Sequence, residues 1–343
     1  MVWEIPVPDT PAPFLVGTEN GFIVAVPGGA IRAYGLDGGS PLWTARLSAS
    51  ISAPPLSAGN RLAVPLSNET IEVLDAGTGE TVASVPTVSI RPLLSLVPRG
   101  IAAADPEGAV ILLRLDLDAV LWTSFLPEEP STAAAWCDGR LLVGTASGLI
   151  VALDPEDGKT LWTKDLRAGA ITTSAACGGR LAFIGAADNR LHLIKLRRRK
   201  GFHEKWAYLT GGDIVGRPLL SGAQVMFLSY DTYLYTLRAR NGHLIWKVRL
   251  GQRPRVRYSL LGDLLLLAPL NAQRLELFKL PAGTQPPAFA LGAGHGRFVT
   301  APTRAGDMVV IGAARYGDNS ARVIGLARVA AEGPGTPSGS SRP

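Results

Sequence analysis

A chain of 343 residues with 47% hydrophobic and 18% charged side chains is too apolar to stay unfolded, yet no apolar run approaches the roughly 18 residues that span a bilayer. Its 39 Gly and 26 Pro mostly punctuate short apolar runs, the composition of many short strands joined by tight turns. The formal charge of +6 hides an asymmetry: residues 1–170 hold 10 Lys and Arg against 19 Asp and Glu, and residues 171–343 hold 24 against 9.

From the N-terminus, WEIPV at Trp3–Val7 reads as a strand, leaving no room before it for a charged and an apolar segment of a secretory signal. That predicts either a cytoplasmic protein or one whose export segment lies upstream. Trp3 then opens a series. Trp43 follows after 40 residues and Trp122 after another 79, with Val82 at the intermediate place. Trp162, Trp206 and Trp246 continue at steps of 40, 44 and 40, and Phe289 closes the series 43 residues later. A turn glycine before an apolar run recurs independently at Gly21, Gly59, Gly100, Gly139, Gly179, Gly222, Gly262 and Gly306. Both marks count eight units.

The fourth unit shows what each unit builds. Residues 131–136 read as a first strand, 137–140 as a turn, 141–145 as a second strand and 147–148 as a turn. Residues 149–153 form a third strand, 154–158 a turn, and 159–166 a fourth strand carrying Trp162. Four short strands repeated at about 40 residues specify a propeller blade. The expected fold is therefore all-β: an eight-bladed β-propeller of four-stranded antiparallel blades. Residues 297–329 supply only three strands of the eighth blade, so the strand around Trp3 is expected to complete it and close the ring. One propeller over residues 1–331 and a disordered tail over 332–343 (EGPGTPSGSSRP, from Glu332) follow.

Cys137 and Cys177 fall at equivalent turn positions of adjacent units. Side chains at equivalent positions point the same way, which predicts two thiols too far apart to pair and leaves the redox compartment open. Farther on, KLRRRKGFHEK (195–205) is expected as an extended, solvated turn between the third and fourth strands of the fifth blade, with anion contact as the functional alternative.

The stretch LDPEDGKTLW (153–162) resembles the pyrroloquinoline-quinone-type propeller repeat, approximately A-x-D-x-x-T-G-x-x-x-W. Further copies are GLDGGSPLW (35–43), VLDAGTGETV (73–82), LRLDLDAVLW (113–122) and LRARNGHLIW (237–246). Later units depart from it, with Arg238 and Lys195 where the Asp stands. Within that family, quinoprotein dehydrogenases are usually much longer and carry adjacent cysteines over the quinone, which this chain lacks. Its length and blade count are similar to the non-catalytic, BamB-like branch, although no lipid-attachment cysteine stands near Met1. The resemblance implies a non-enzymatic scaffold without a cofactor, placed in the cell envelope and accessory to outer-membrane protein assembly. A quinoprotein-like oxidoreductase or lyase using the central channel, and a cytoplasmic sensor, are the alternatives.

The residues themselves offer little chemistry. His192, His203, His243 and His295 show no metal-ligand spacing, and no metal is expected. His192 reads as a packed strand residue, and His203 and His243 as residues of exposed turns. The loop GAGHGR (292–297) resembles a phosphate cradle but lacks a following helix. There is no G-x-S-x-G, P-loop, H-E-x-x-H or C-x-x-C motif and no nucleic-acid module. The series Trp3, Trp43, Trp122, Trp162, Trp206 and Trp246 reads as structural, each indole packing between blades.

In a propeller, the second-to-third turns and the blade-linking loops emerge on one face around the channel. There the basic half is expected to present Arg190, Tyr230, Tyr233, Arg253, Arg255, Arg257, His295, Arg297 and Arg315. The acidic half presents Glu69, Asp105, Glu107, Glu128 and Glu129. Such a two-signed rim suits a charged protein partner of a monomeric propeller, with binding that weakens in salt.

Overall fold

The second strand of most repeats is apolar along nearly its whole length, without the alternation of a half-exposed strand. Gly21–Ala25, Gly100–Ala104, Arg140–Gly144 and Met308–Ala314 are buried at every position. This pattern requires cover on both faces of the sheet. The computed structural model describes residues 2–7, 10, 12–89, 92–114, 119–197, 201–250, 258–261, 264–267, 274–279, 289–290, 296–314 and 320–326. It supplies that cover by standing eight antiparallel sheets side by side in a closed ring. Seven sheets take their strands in sequence order, over residues 14–46, 56–86, 93–125, 135–165, 176–209, 214–249 and 258–290. No helix occurs among the described residues.

The eighth blade is made from both ends of the chain. Trp3–Val7 pairs antiparallel with Ala321–Leu326, in the register Trp3 to Gly325, Ile5 to Val323 and Val7 to Ala321. Glu4 forms an ion pair with Arg322 across the same strands. The expected closure by the N-terminal strand holds. The expected tail, 332–343, lies outside the described residues.

The core is distributed rather than central. Eight apolar clusters fill the eight seams, each shared by two neighbouring blades. In the third strand of blade 5, Leu191 and Leu193 face blade 6 while Ile194 and Leu196 face blade 4. The two-residue period of the strand thus feeds two cores at once. Fourth strands are mostly exposed, as Thr160–Asp165 shows, and first strands line up with one another around the inside.

The blade tryptophans lock these seams. Four of them reach the third-to-fourth turn of the next blade and donate the indole N–H to a carbonyl 33 residues on. Trp3 bonds Leu36 at 2.8 Å, Trp43 bonds Ala76 at 3.0 Å, Trp122 bonds Pro155 at 3.0 Å and Trp206 bonds Ala239 at 3.3 Å. The indole lies flat on a turn glycine. A Cβ on Gly158 would stand 2.5 Å from Trp122, and the residue's φ of +72° also disfavours any side chain.

Three expectations need correction. First, Cys137 and Cys177 are bonded to each other, with Cα atoms 5.4 Å apart. They sit on the first strands of blades 4 and 5, Ala135–Cys137 and Ala176–Gly178, where the blades converge on the axis. Equivalent positions that diverge on outer strands come within disulfide reach on inner ones. Second, the described part of the basic run is mostly strand, and residues 198–200 lie outside the described residues. Arg190–Leu196 and Phe202–Leu209 extend into it, and the turn closes with the Arg197 N–H on the Gly201 carbonyl at 2.9 Å. His203 is therefore an exposed strand residue. Third, the first strand of blade 4 is short. Ser131 and Thr132 lie in the linking loop, where the Thr132 hydroxyl accepts the Gly144 N–H at 2.9 Å.

Candidate interaction surface

Blade-linking loops and second-to-third turns are stitched together by backbone hydrogen bonds. Ser67 N–H donates to the Ser50 carbonyl, Ala146 to Glu129, Ala187 to Ala170 and Tyr230 to Asp213. Each of these bonds ties a turn to the loop that enters its blade. The bonds from Leu166 to Gly148 and from Leu250 to Thr232 tie the loop that leaves. The two loop sets therefore form one continuous face, held rigid by main chain.

On this face Tyr230 is exposed and Tyr233, the first residue of Tyr233–Arg238, is half-buried. Asp231 holds the turn that presents Tyr233. Its carboxylate accepts the Tyr233 N–H at 3.1 Å, the Gly211 N–H at 2.8 Å and the Tyr235 hydroxyl at 2.6 Å. Burial, reinforced by that bond to a carboxylate, pushes the Tyr235 phenol well above the usual tyrosine range. Lys247 lies over the Tyr233 ring, 4.7 Å from its centroid.

Arg190 is not a free cation: its guanidinium pairs with Asp188 at 3.2 Å. The same Asp188 receives His192, which is 4% exposed. Each ring nitrogen of His192 lies against a carboxylate, Nε2 at 3.1 Å from Asp188 Oδ1 and Nδ1 at 2.9 Å from Glu204 Oε1. Its burial agrees with a packed strand residue; the two carboxylate partners are beyond what its position in the repeat signals. Burial raises the Asp188 carboxyl, but the bonds from His192 and Arg190 outweigh it and hold the group below the usual carboxylate range.

Arg297 is exposed at the start of the eighth blade, while Arg253, Arg255, Arg257, His295 and Arg315 lie outside the described residues. In the acidic half Glu69, Glu107, Glu128 and Glu129 are exposed. Asp105 is not part of the rim. It is fully buried, and its carboxylate accepts the N–H groups of Val88, Ser89 and Glu107 at 3.0, 2.7 and 3.0 Å. A buried carboxylate without such donors would be costly, so this residue is spent on the turn.

One hollow opens on this face and another on the face opposite. A mostly apolar pocket of about 430 Å³ opens where the chain enters the first strands of blades 2 to 4, between Pro54, Leu56, Pro92 and Leu93. A larger cleft of about 960 Å³ lies on the opposite side of the ring, among the first-to-second turns of blades 8, 1 and 2.

The comparisons with known proteins agree with this geometry. A family model described as "Outer membrane protein assembly factor BamB" matches residues 2–114 and again 106–265. The chain belongs to that family. The crystal structure of BamB from Moraxella catarrhalis superposes with a TM-score of 0.70 at 14% identity, covering 94% of this chain and 98% of that one. The computationally designed Ika8 protein superposes at 0.75, also at 14% identity, covering 93% and 98%. At such identities the likeness is one of fold. A search of curated proteins found no match.

Proposed function

We propose that this protein is a non-catalytic interaction scaffold whose loop face binds a charged protein partner. The observation that carries the reading is the combination on that face of an apolar pocket with exposed charge. The pocket at Pro54, Leu56, Pro92 and Leu93 lies at the same end of the blades as Glu128 and Glu129, and Tyr230 and Arg297 are exposed farther round. An apolar hollow flanked by charge, with Tyr and Arg on offer, is the composition of protein interfaces. Family membership supports an accessory role in outer-membrane protein assembly, in the cell envelope, for a monomeric propeller over residues 1–331. The two cysteines are engaged across a seam, not adjacent over a cofactor as in the quinone dehydrogenases that share the repeat.

Affinity capture from envelope extracts tests the reading. The wild-type ring should retain a specific protein, less of it at high salt. The variants Glu128→Lys with Glu129→Lys, and Tyr230→Ala with Arg297→Glu, should lose it, while Lys159→Glu in a turn of the opposite face should not. Equal recovery by all variants at both salt concentrations would remove this face from consideration. Calorimetry with pyrroloquinoline quinone and Ca²⁺ should show no stoichiometric binding.

A further inference from the structure

The seam between blades 4 and 5 is built differently from its neighbours. Trp162 is 8% exposed, and its Nε1 finds no acceptor among the described residues. The carbonyl that should meet it belongs to the third-to-fourth turn of blade 5. In blades 2, 4 and 6 that turn closes from one residue to the fifth beyond: Asp75 to Glu80, Asp154 to Lys159, Arg238 to His243. In blade 5 Lys195 holds the place of those first residues but pairs with His203, and the hairpin runs on to close from Arg197 to Gly201. A Cβ on Gly201 would meet the Lys164 side chain, where the other turn glycines meet an indole. Trp162 instead packs edge-on against Phe202, and the Arg140 guanidinium donates to the Arg197 carbonyl at 3.0 Å. The Cys137–Cys177 bond spans this same seam at the inner strands.

We propose that this disulfide is the lock of the blade 4–5 seam, standing in for the missing indole bond, and that reduction opens that seam ahead of the others. The ring is then matured by oxidation. One cysteine thiolate attacks the disulfide of an oxidant, an oxidised dithiol protein or glutathione disulfide, and forms a mixed disulfide. The other thiolate displaces the oxidant's second sulfur. The two cysteines give up two electrons and two protons, and the oxidant leaves as two thiols. Formation of this bond needs an oxidising compartment such as the bacterial periplasm.

The test is made on the full chain refolded with oxidised and reduced glutathione. Alkylation under denaturing conditions should label neither cysteine before reduction and both after it. Hydrogen exchange read by mass spectrometry, with and without a dithiol reductant under native conditions, should rise at 135–137, 176–178 and 202–209. It should stay unchanged at 14–17 and 56–58 in the seam between blades 1 and 2. The variant Cys137→Ser with Cys177→Ser should reproduce the reduced pattern without reductant; if it does not fold, reduction of the native protein is the deciding measurement. Two reactive thiols after oxidative refolding, or exchange that is unchanged or rises uniformly around the ring, would overturn the proposal.

Discussion

Trp122 and Trp162 occupy the same position in consecutive blades and differ in one bond. Both are 8% exposed; the indole of Trp122 donates to the Pro155 carbonyl and that of Trp162 to no acceptor among the described residues. Replacing either by Phe leaves a similar cavity, so the difference between the two variants isolates the hydrogen bond. Trp122→Phe should cost about 1 kcal/mol more than Trp162→Phe in urea denaturation. Asp188 gives the second residue-scale expectation. Its folded value is depressed by His192 and Arg190 against the opposing effect of burial. Its contribution is therefore complete above the unfolded aspartate value of about 3.9 and is lost as pH falls through the lower folded value. The stability gap between wild type and Asp188→Asn should close in acid, as followed by the urea midpoint against pH. The repeat made His192 legible as a packed residue. Its carboxylate partners were not, because Glu204 lies on the next strand and only the register of the blade 5 hairpin brings it to the ring.

At the scale of elements, side chains replace backbone where blades join. Thr132, Thr173 and Thr300 each accept the N–H of a glycine 12 residues on, Gly144, Gly185 and Gly312. The spacing stands in the sequence, but only the loop geometry shows what it does. Asp105 performs a similar task, accepting from Val88 and Ser89 of the loop entering blade 3 and from Glu107 of its own turn. Asp105→Ala removes all three acceptor bonds and should cost on the order of 3 kcal/mol, with Asn restoring part of it. Chemical denaturation of the two variants checks the order. The inner-strand disulfide closes a segment of sequence separation 40. Loop-closure entropy for that length is about 4 kcal/mol, so the double serine variant should lose stability of that order at equilibrium.

For the whole molecule, stability is a ring of nearest-neighbour seams, so one open seam exposes two blade faces. Deleting residues 1–8 removes Trp3, Ile5 and Val7 from the seam between blades 8 and 1 and bares the edge of Ala321–Leu326. The lost apolar burial alone is on the order of 5 kcal/mol, and the free edge invites association. The truncated chain should melt well below the intact one and aggregate, which a thermal scan with light scattering would register; an unchanged Tm would mean that closure lies elsewhere. Blade number, strand order and N-terminal closure were determined by the sequence alone. Each blade is a local unit of hairpins whose turn glycines and tryptophans recur at a fixed step, and local marks survive without knowledge of distant neighbours. Only the tertiary structure decided which residues meet between units. Radial convergence brings equivalent positions of inner strands together, so Cys137 reaches Cys177. The loop stitching draws Asp105 inward while Glu107 stays in solvent. Both outcomes depend on the distance between blades, which no single repeat encodes.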